Sequence, residues 1–481
     1  VRLLESGAAA RLGLAWRKSG YDRAAPSAVY GSEAAEAARR ADYRGLLAAA
    51  DDDPIGVWTR LFTVGTVVEE RAAAAALAPL GLDEALDCGL LVRSPGGVAA
   101  GWGLQFADER AVFSDQRPNT TGARSRDHVL GIGGASELLL DAALKSEART
   151  ALDLGTGCGV QALALAGRAE AVTATDLSDR ALAFAALNAE VNGVDLELLR
   201  GDMLEPVAGR RFDLVVANPP FVVATPGDGW RYRDGGREAD GVAAELAAAS
   251  TGLLNPGGTM QFLANWLHVR GTAWGERVAA WLPESGALAW VVEREVLDPL
   301  DYVRTWQRDS GETGDAEQAA AWLDWFDEHE VEGIGFGMVG IRRIDGASEV
   351  VCEEARHAVE TPWSDRVADW FAVRGVDLEP ETLWASRLRL ADGVALQQAA
   401  ELGDEGWEVE RQWLRQRHGM RYAEQIDPLL VAFLGACDGE AEVCLQMRLL
   451  AETYGAETAM LYAQLYPLIR RLVERGFLAL Q

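Results

Sequence analysis

The chain is 481 residues long, and at roughly 150 residues per domain that length suggests three domains, each able to bury a core. Acidic residues outnumber basic ones 74 to 45, for a net charge of −29, and such a surface repels phosphate backbones and disfavours non-specific nucleic-acid binding. The apolar fraction of 49% fits a globular protein, and no stretch reaches the roughly 18–20 apolar residues that span a bilayer.

Residues 1–122 read as an N-terminal domain. Around Arg2, Glu5 and Arg11 there are only short apolar pieces and no signal-peptide core, which points to a cytoplasmic protein. Helical patterns run over 32–50, 55–62, 69–78 and 82–91. Strand-like pieces then fill 92–115 around the turn Pro95-Gly96-Gly97. Short helices followed by a β-ribbon form a winged-helix-like α+β pattern. No basic recognition helix accompanies it, so substrate positioning or dimerisation is expected rather than DNA binding. The polar segment 117–127, with Arg117, Arg124 and Arg126, reads as a linker, and His128 after it as a structural residue.

Residues 123–345 carry the chemistry. Ala151-Leu152-Asp153-Leu154 is a short apolar strand, Gly155-Thr156-Gly157-Cys158-Gly159 a glycine turn, and 160–166 a helix. Glycines let a backbone approach a ligand closely, and a helix N-terminus points N–H groups at it. The next strand, Ala171-Val172-Thr173-Ala174-Thr175, ends on Asp176 and Leu177, at about the distance, some 20 residues on, where a carboxylate grips ribose hydroxyls. A third strand over 196–199 leads into Gly201-Asp202-Met203. There a carboxylate could accept from an adenine amine while the methionine packs on the ring.

The fourth strand, Phe212-Asp213-Leu214-Val215-Val216-Ala217, runs straight into Asn218-Pro219-Pro220-Phe221. Ligands of open α/β sheets bind at the C-terminal ends of the strands. Asn218 offers a side-chain carbonyl, and Pro219 a backbone carbonyl with no N–H of its own. Two acceptors side by side can hold both hydrogens of a planar NH2 group, and the ring of Phe221 can stack on its π-face.

Beyond the motif, 222–240 is a loop too long for a simple connection, and such loops are usually functional. Its Trp230-Arg231-Tyr232-Arg233-Asp234-Gly235-Gly236-Arg237 suits stacked bases or an acidic peptide. Strands follow over 258–264, 288–296 and 334–342, with a helical insertion over 316–329 of no evident purpose. Residues 346–481 read as a third, mostly helical domain ending in a winged-helix-like unit, with helical runs over 428–434, 442–454 and 460–475. Its cluster Arg411, Arg415, Arg417, His418 and Arg421 is the clearest basic patch. The five cysteines are scattered, without metal-ligand spacing, and read as buried thiols. No metal site is expected.

The glycine loop, Asp176, Asp202 and Asn218-Pro219-Pro220-Phe221, each after a strand and in this order, resemble the class I S-adenosylmethionine-dependent methyltransferases. The likeness is to their amino-methylating branch, over about residues 125–345. The resemblance implies a seven-stranded Rossmann-like core. It implies that Asp153, Gly155, Thr156, Gly157 and Gly159 surround the methionine part of S-adenosylmethionine, Asp176 and Leu177 the ribose side, and Asp202 and Met203 the adenine. Asn218, Pro219, Pro220 and Phe221 would hold the acceptor nitrogen, and residues 131–136 would cover the cofactor. The stretch 218–223 is similar to that of the HemK-like release-factor glutamine methyltransferases. Phe221 departs from their commoner tyrosine, and the two extensions look like those of an actinobacterial methyltransferase group.

A glutamine side chain of a protein, such as a translation factor, is the leading acceptor. A base amine of ribosomal or transfer RNA is the runner-up, and a small molecule or a cofactor-binding scaffold without turnover remain alternatives. Oligomeric state is not legible, and no membrane partner is expected. For any such nitrogen the protein has mainly to align a lone pair with an activated methyl group, and alignment supplies roughly 7–11 kcal/mol of a barrier. No histidine base is required.

Overall fold

The computed structural model describes residues 3–4, 7–39, 42–116, 127–223, 239–310, 316–403 and 406–481. The chain forms two compact units, residues 1–140 with 146–354, and 141–145 with 355–481. Arg117, Arg124, Arg126 and the segment from Trp230 to Arg237 lie outside the described residues.

The first unit is built on one large sheet. Strands β5 (Ala148–Leu154), β6 (Ala169–Asp176), β7 (Glu197–Arg200), β8 (Phe212–Ala217) and β9 (Leu254–Val269) are parallel neighbours. Their short apolar runs are what a sheet covered on both faces demands. Strand β11 (Val331–Ala347) adds antiparallel to β9, and β10 (Ser285–Leu297) antiparallel to β11. The order is β12-β10-β11-β9-β8-β5-β6-β7. Eight strands therefore replace the expected seven. The eighth, β12 (Glu349–Glu354), hydrogen-bonds in parallel along the free edge of β10. Residues 349–354, which the sequence reading assigns to the third domain, thus belong to the central sheet.

The chain moves from β5 outward through β6 to β7, then returns to place β8 on the other side of β5. This reversal opens a crevice above the C-terminal ends of β5 and β8, where doubly wound sheets bind ligands. Helices α9 (Val160–Leu165) and α10 (Asp179–Asn192) share one core with the N-terminal residues Leu12, Trp58, Leu77 and Phe113. A second core holds α11 (Gly241–Leu253) and α12 (Trp274–Ala279) against Val215, Phe262 and Val339.

The N-terminal region contains helices α1 (Ala8–Ser19) to α7 (Leu82–Asp87), then hairpins β1–β2 (Leu91–Ser94, Gly97–Ala100) and β3–β4 (Trp102–Ala107, Arg110–Asp115). Helix α1, absent from the sequence reading, lies against α10. A Cβ on its Gly13 would stand 2.4 Å from the carbonyl oxygen of Val191, so only glycine permits this approach. The expected 32–50 helix is two pieces, α3 (Ser32–Arg39) and α4 (Arg44–Ala49). Asn188 and Asn192, one turn apart on α10, present their amides to the open edge of β4. Asn188 bonds both the N–H and the C=O of Phe113 at 2.8 Å, and Asn192 does the same for Ala111 at 3.1 and 2.8 Å. Two side chains thus replace a missing strand partner.

The second unit is mixed α/β rather than mostly helical. Among its described residues, five helices from α15 (Ser364–Val373) to α19 (Thr458–Glu474) accompany two three-stranded sheets, one with β13 (Arg387–Leu390) between β17 (Asp438–Glu442) and β18 (Leu478–Leu480), the other with β15 (Gly406–Gln416) between β14 (Val394–Gly403) and β16 (Ala423–Ile426). Trp363, Phe371, Phe433 and Phe477 are fully buried in it. The basic cluster begins on strand β15. There Arg411 pairs with Glu410 at 3.5 Å, while His418 in the turn after the strand pairs with Glu360 at 3.4 Å.

Candidate active site

The glycine loop leaves β5 with Gly155, Gly157 and Gly159 at φ of 73°, 53° and 86°. At Gly159 glycine is doubly required, since a Cβ would also press within 3.1 Å of Ala185 on α10. Gly155 and Gly157 face open space in which a Cβ would meet nothing within 4 Å. The loop is tied down from β6: the N–H groups of Gly155 and Thr156 both donate to the carbonyl of Thr175, at 3.0 and 2.8 Å.

Two carboxylates organise this end of the sheet. Asp153 is buried beneath the loop, and its Oδ2 accepts from the Thr156 hydroxyl at 2.6 Å and from the N–H of Ala162 at 2.9 Å. It braces both the loop and the first turn of α9. Burial pushes its carboxyl up to about 7, against the opposing pull of those two donors. Asp176 ends β6. Its Oδ2 accepts from Gly157 N–H at 2.9 Å and its Oδ1 from Ser178 N–H at 2.8 Å, and burial raises its carboxyl above the ordinary range. Leu177 beside it is an exposed apolar side chain. The turn after β7 is held to β6 by the N–H of Gly201, which donates to Asp176 O at 3.1 Å. Met203 follows at φ 44°, partly buried against the second core.

Open space over two loop glycines, a carboxylate already hydrogen-bonded to the loop and an exposed apolar neighbour suit a ligand with a ribose and a flat ring. The residues present therefore fit S-adenosylmethionine. Cys158 in the loop is buried, and its thiol is pushed up to about 12, so it packs rather than reacts.

Asn218 follows the last residue of β8, the strand paired directly with β5. Its Nδ2 donates to Ser136 Oγ at 3.4 Å. Its Oδ1 is buried, with no partner among the described residues. Such an orphaned acceptor costs roughly 1–3 kcal/mol and is a mark of functional sites. Phe221 stands between the rings of Phe336 and Trp306, with centroids 5.4 and 6.2 Å away. Two residues on, the N–H of Val223 donates to the hydroxyl of Tyr302 at 2.8 Å.

Tertiary structure thus brings the glycine loop, Asp176 and Asn218 to one edge of one sheet. His128 lies elsewhere, 4.0 Å from Asp115, which also accepts from Arg180. Sequence reasoning named Ser136 only as the end of a segment covering the cofactor, and missed Gln161, whose Nε2 donates to Ser136 O at 3.0 Å, and Tyr302. Asn265, a polar residue inside an apolar strand, was the one available signal for the last.

Residues 128–269 match the methyltransferase small domain family model, and two domains of unknown function match residues 18–101 and 361–480. The chain is similar to the release factor glutamine methyltransferase of Bordetella pertussis, with 39% identity over 148 residues, 27% of this chain and 54% of that protein. It is also similar to that of Moorella thermoacetica, with 36% identity over 180 residues, 34% and 62% of the two chains. The chain thus spans little more than half the length of these curated relatives. Among solved structures, the T. thermophilus 16S rRNA N2 methyltransferase RsmC, in complex with AdoMet and guanosine, aligns at 22% identity. That alignment covers 40% of this chain and 52% of the other, with a TM-score of 0.27. Residues 128–269 are a class I S-adenosylmethionine-dependent methyltransferase domain.

Proposed function

We propose that the protein methylates a planar NH2 group, the side-chain amide of a glutamine in a protein partner, in the cytoplasm. The observation that carries the reading is the buried Oδ1 of Asn218 beside the glycine loop, which has no partner among the described residues. The roles of the site residues follow from their chemistry. Gly155, Thr156, Gly157 and Gly159, with Asp153 bracing them from below, would hold the methionine part, Asp176 and Leu177 the ribose side, and Asp202 and Met203 the adenine. S-adenosylmethionine supplies a methyl group already activated by a sulfonium. Asn218 Oδ1 and the carbonyl of Pro219 accept the two N–H bonds of the acceptor amide. That pushes density onto a nitrogen whose lone pair is otherwise delocalised and stabilises its developing positive charge. Pro220 stiffens the turn, and Phe221 lies on the π-face.

A protein acceptor is supported by the names of the similar release-factor enzymes and by the net charge of −29. The pairing of Arg411 and His418 with carboxylates weakens the case for an RNA groove there. The test is transfer from labelled S-adenosylmethionine into a cell extract, with Asn218→Ala as control and the product split between protease and nuclease. Label released by protease and absent in the variant supports a protein amide. Label released by nuclease overturns the glutamine reading in favour of a base amine.

A further inference from the structure

The described residues of the insertion between β10 and β11 form α13 (Pro299–Ser310) and α14 (Ala316–Glu328). It packs on the acceptor end of the site. Tyr302 of α13 is buried, and its hydroxyl accepts from Val223 N–H and from Asn265 Nδ2, each at 2.8 Å. Trp322 and Phe326 of α14 close around its ring at 6.3 and 6.1 Å, in one cluster with Val222 and Val223. Asn265 stands directly opposite Phe336 in the β9–β11 ladder, so the two side chains share one face of the sheet. On that face Phe336 meets the ring of Phe221. Trp306, one turn beyond Tyr302, meets the same ring edge-on at 69°.

We propose that this insertion is the acceptor-side wall of the site: Trp306 sets the position of the Phe221 ring, and Tyr302 sets the path of the main chain that follows it. The inference rests on the methyl-transfer reading above. Phenylalanine has no polar atom to anchor it, so its ring lies where neighbouring rings put it. Among the described residues those neighbours are one strand residue and one insertion residue, both half-buried. Among the described residues, the hydrogen bonds that brace the glycine loop come from β5, β6 and α10 rather than from the insertion. Its influence should therefore fall on the acceptor and leave the cofactor alone. Trp306 and Tyr302 are positioning residues, acting through Phe221 and the backbone of Val223.

The test uses the full chain, labelled S-adenosylmethionine and a cell extract as the source of acceptor, varied in concentration, with calorimetric S-adenosylmethionine binding alongside. An aromatic pair is worth about 0.5–1.5 kcal/mol, so Trp306→Leu should raise the half-saturating extract concentration roughly two- to tenfold. Cofactor affinity should not move. Trp306→Phe, which keeps an aromatic edge and is the milder change should leucine fail to fold, should recover most of the loss. Tyr302→Phe removes only the hydroxyl and should lower the maximal rate. Unchanged acceptor saturation in both Trp306 variants, or an equal loss of cofactor affinity, overturns the inference while leaving the methyl-transfer reading standing. No labelling by the unaltered chain overturns that reading, and the inference with it.

Discussion

Asn188 of α10 grips Phe113 of β4 by both main-chain groups, and its Nδ2 also donates to the carbonyl of Cys158 in the glycine loop at 2.8 Å. One buried amide therefore ties the N-terminal hairpin to the loop that fits the cofactor.

Replacing Asn188 with leucine would leave the N–H of Phe113 and two carbonyls without their partner. At roughly 1–3 kcal/mol for each stranded buried group, the loss should be a few kcal/mol. Chemical denaturation of Asn188→Leu should show it, together with weaker S-adenosylmethionine binding by calorimetry. Full stability would mean that the hairpin is held by packing alone.

Asp176 accepts from Gly157 as well as from Ser178, so Asp176→Ala should both remove a ribose acceptor and loosen the loop. A hydrogen bond to a charged group is worth about 1.5–3 kcal/mol, so S-adenosylmethionine affinity should fall by roughly one to two orders of magnitude. Unaltered affinity would remove Asp176 from the cofactor site.

Asn218→Ala should act on the other partner. Loss of one preorganised acceptor of this kind typically costs about 10²–10³ in turnover, while cofactor binding should be unaffected. A parallel fall in both, measured by initial rates and calorimetry, would put Asn218 on the cofactor side instead.

Asp153 makes a pH prediction. Burial raises its carboxyl from the ordinary 3.8 to about 7 in the folded chain. The folded state therefore holds this proton more tightly than the unfolded state. Its contribution to stability is fully present below about pH 4 and is lost as pH rises toward 7, with a limiting slope of about 1.4 kcal/mol per pH unit. Asp153→Asn cannot lose that proton, so its stability should fall less steeply across this window. Denaturation midpoints for both proteins at several pH values decide it; parallel curves would refute the assignment.

The alternation of short apolar strands with a glycine turn, carboxylates and Asn218-Pro219-Pro220-Phe221 was sufficient to read the core from sequence. Each of those signals is local: strands buried on both faces must be apolar along their length, and a turn that approaches a ligand needs glycine. The strands β5 to β11 lie where those runs place them, extended by a few residues where the ladder continues into polar sequence. What only the tertiary structure decided is long-range. Helix α1 depends on Gly13 meeting α10 across 178 residues of sequence, and Tyr302 meets Val223 across 79. The eighth strand exists because the edge of β10 is open, and the basic cluster lies on and beyond a strand, partly in ion pairs, because β14 and β16 were there to pair with it. A hydrogen bond or a packed ring has no sequence period when its partners come from different elements. For that reason the residues proposed for the site could be named from the chain, while the contacts of Trp306 with Phe221 and of Tyr302 with Val223 appeared only when the chain was folded.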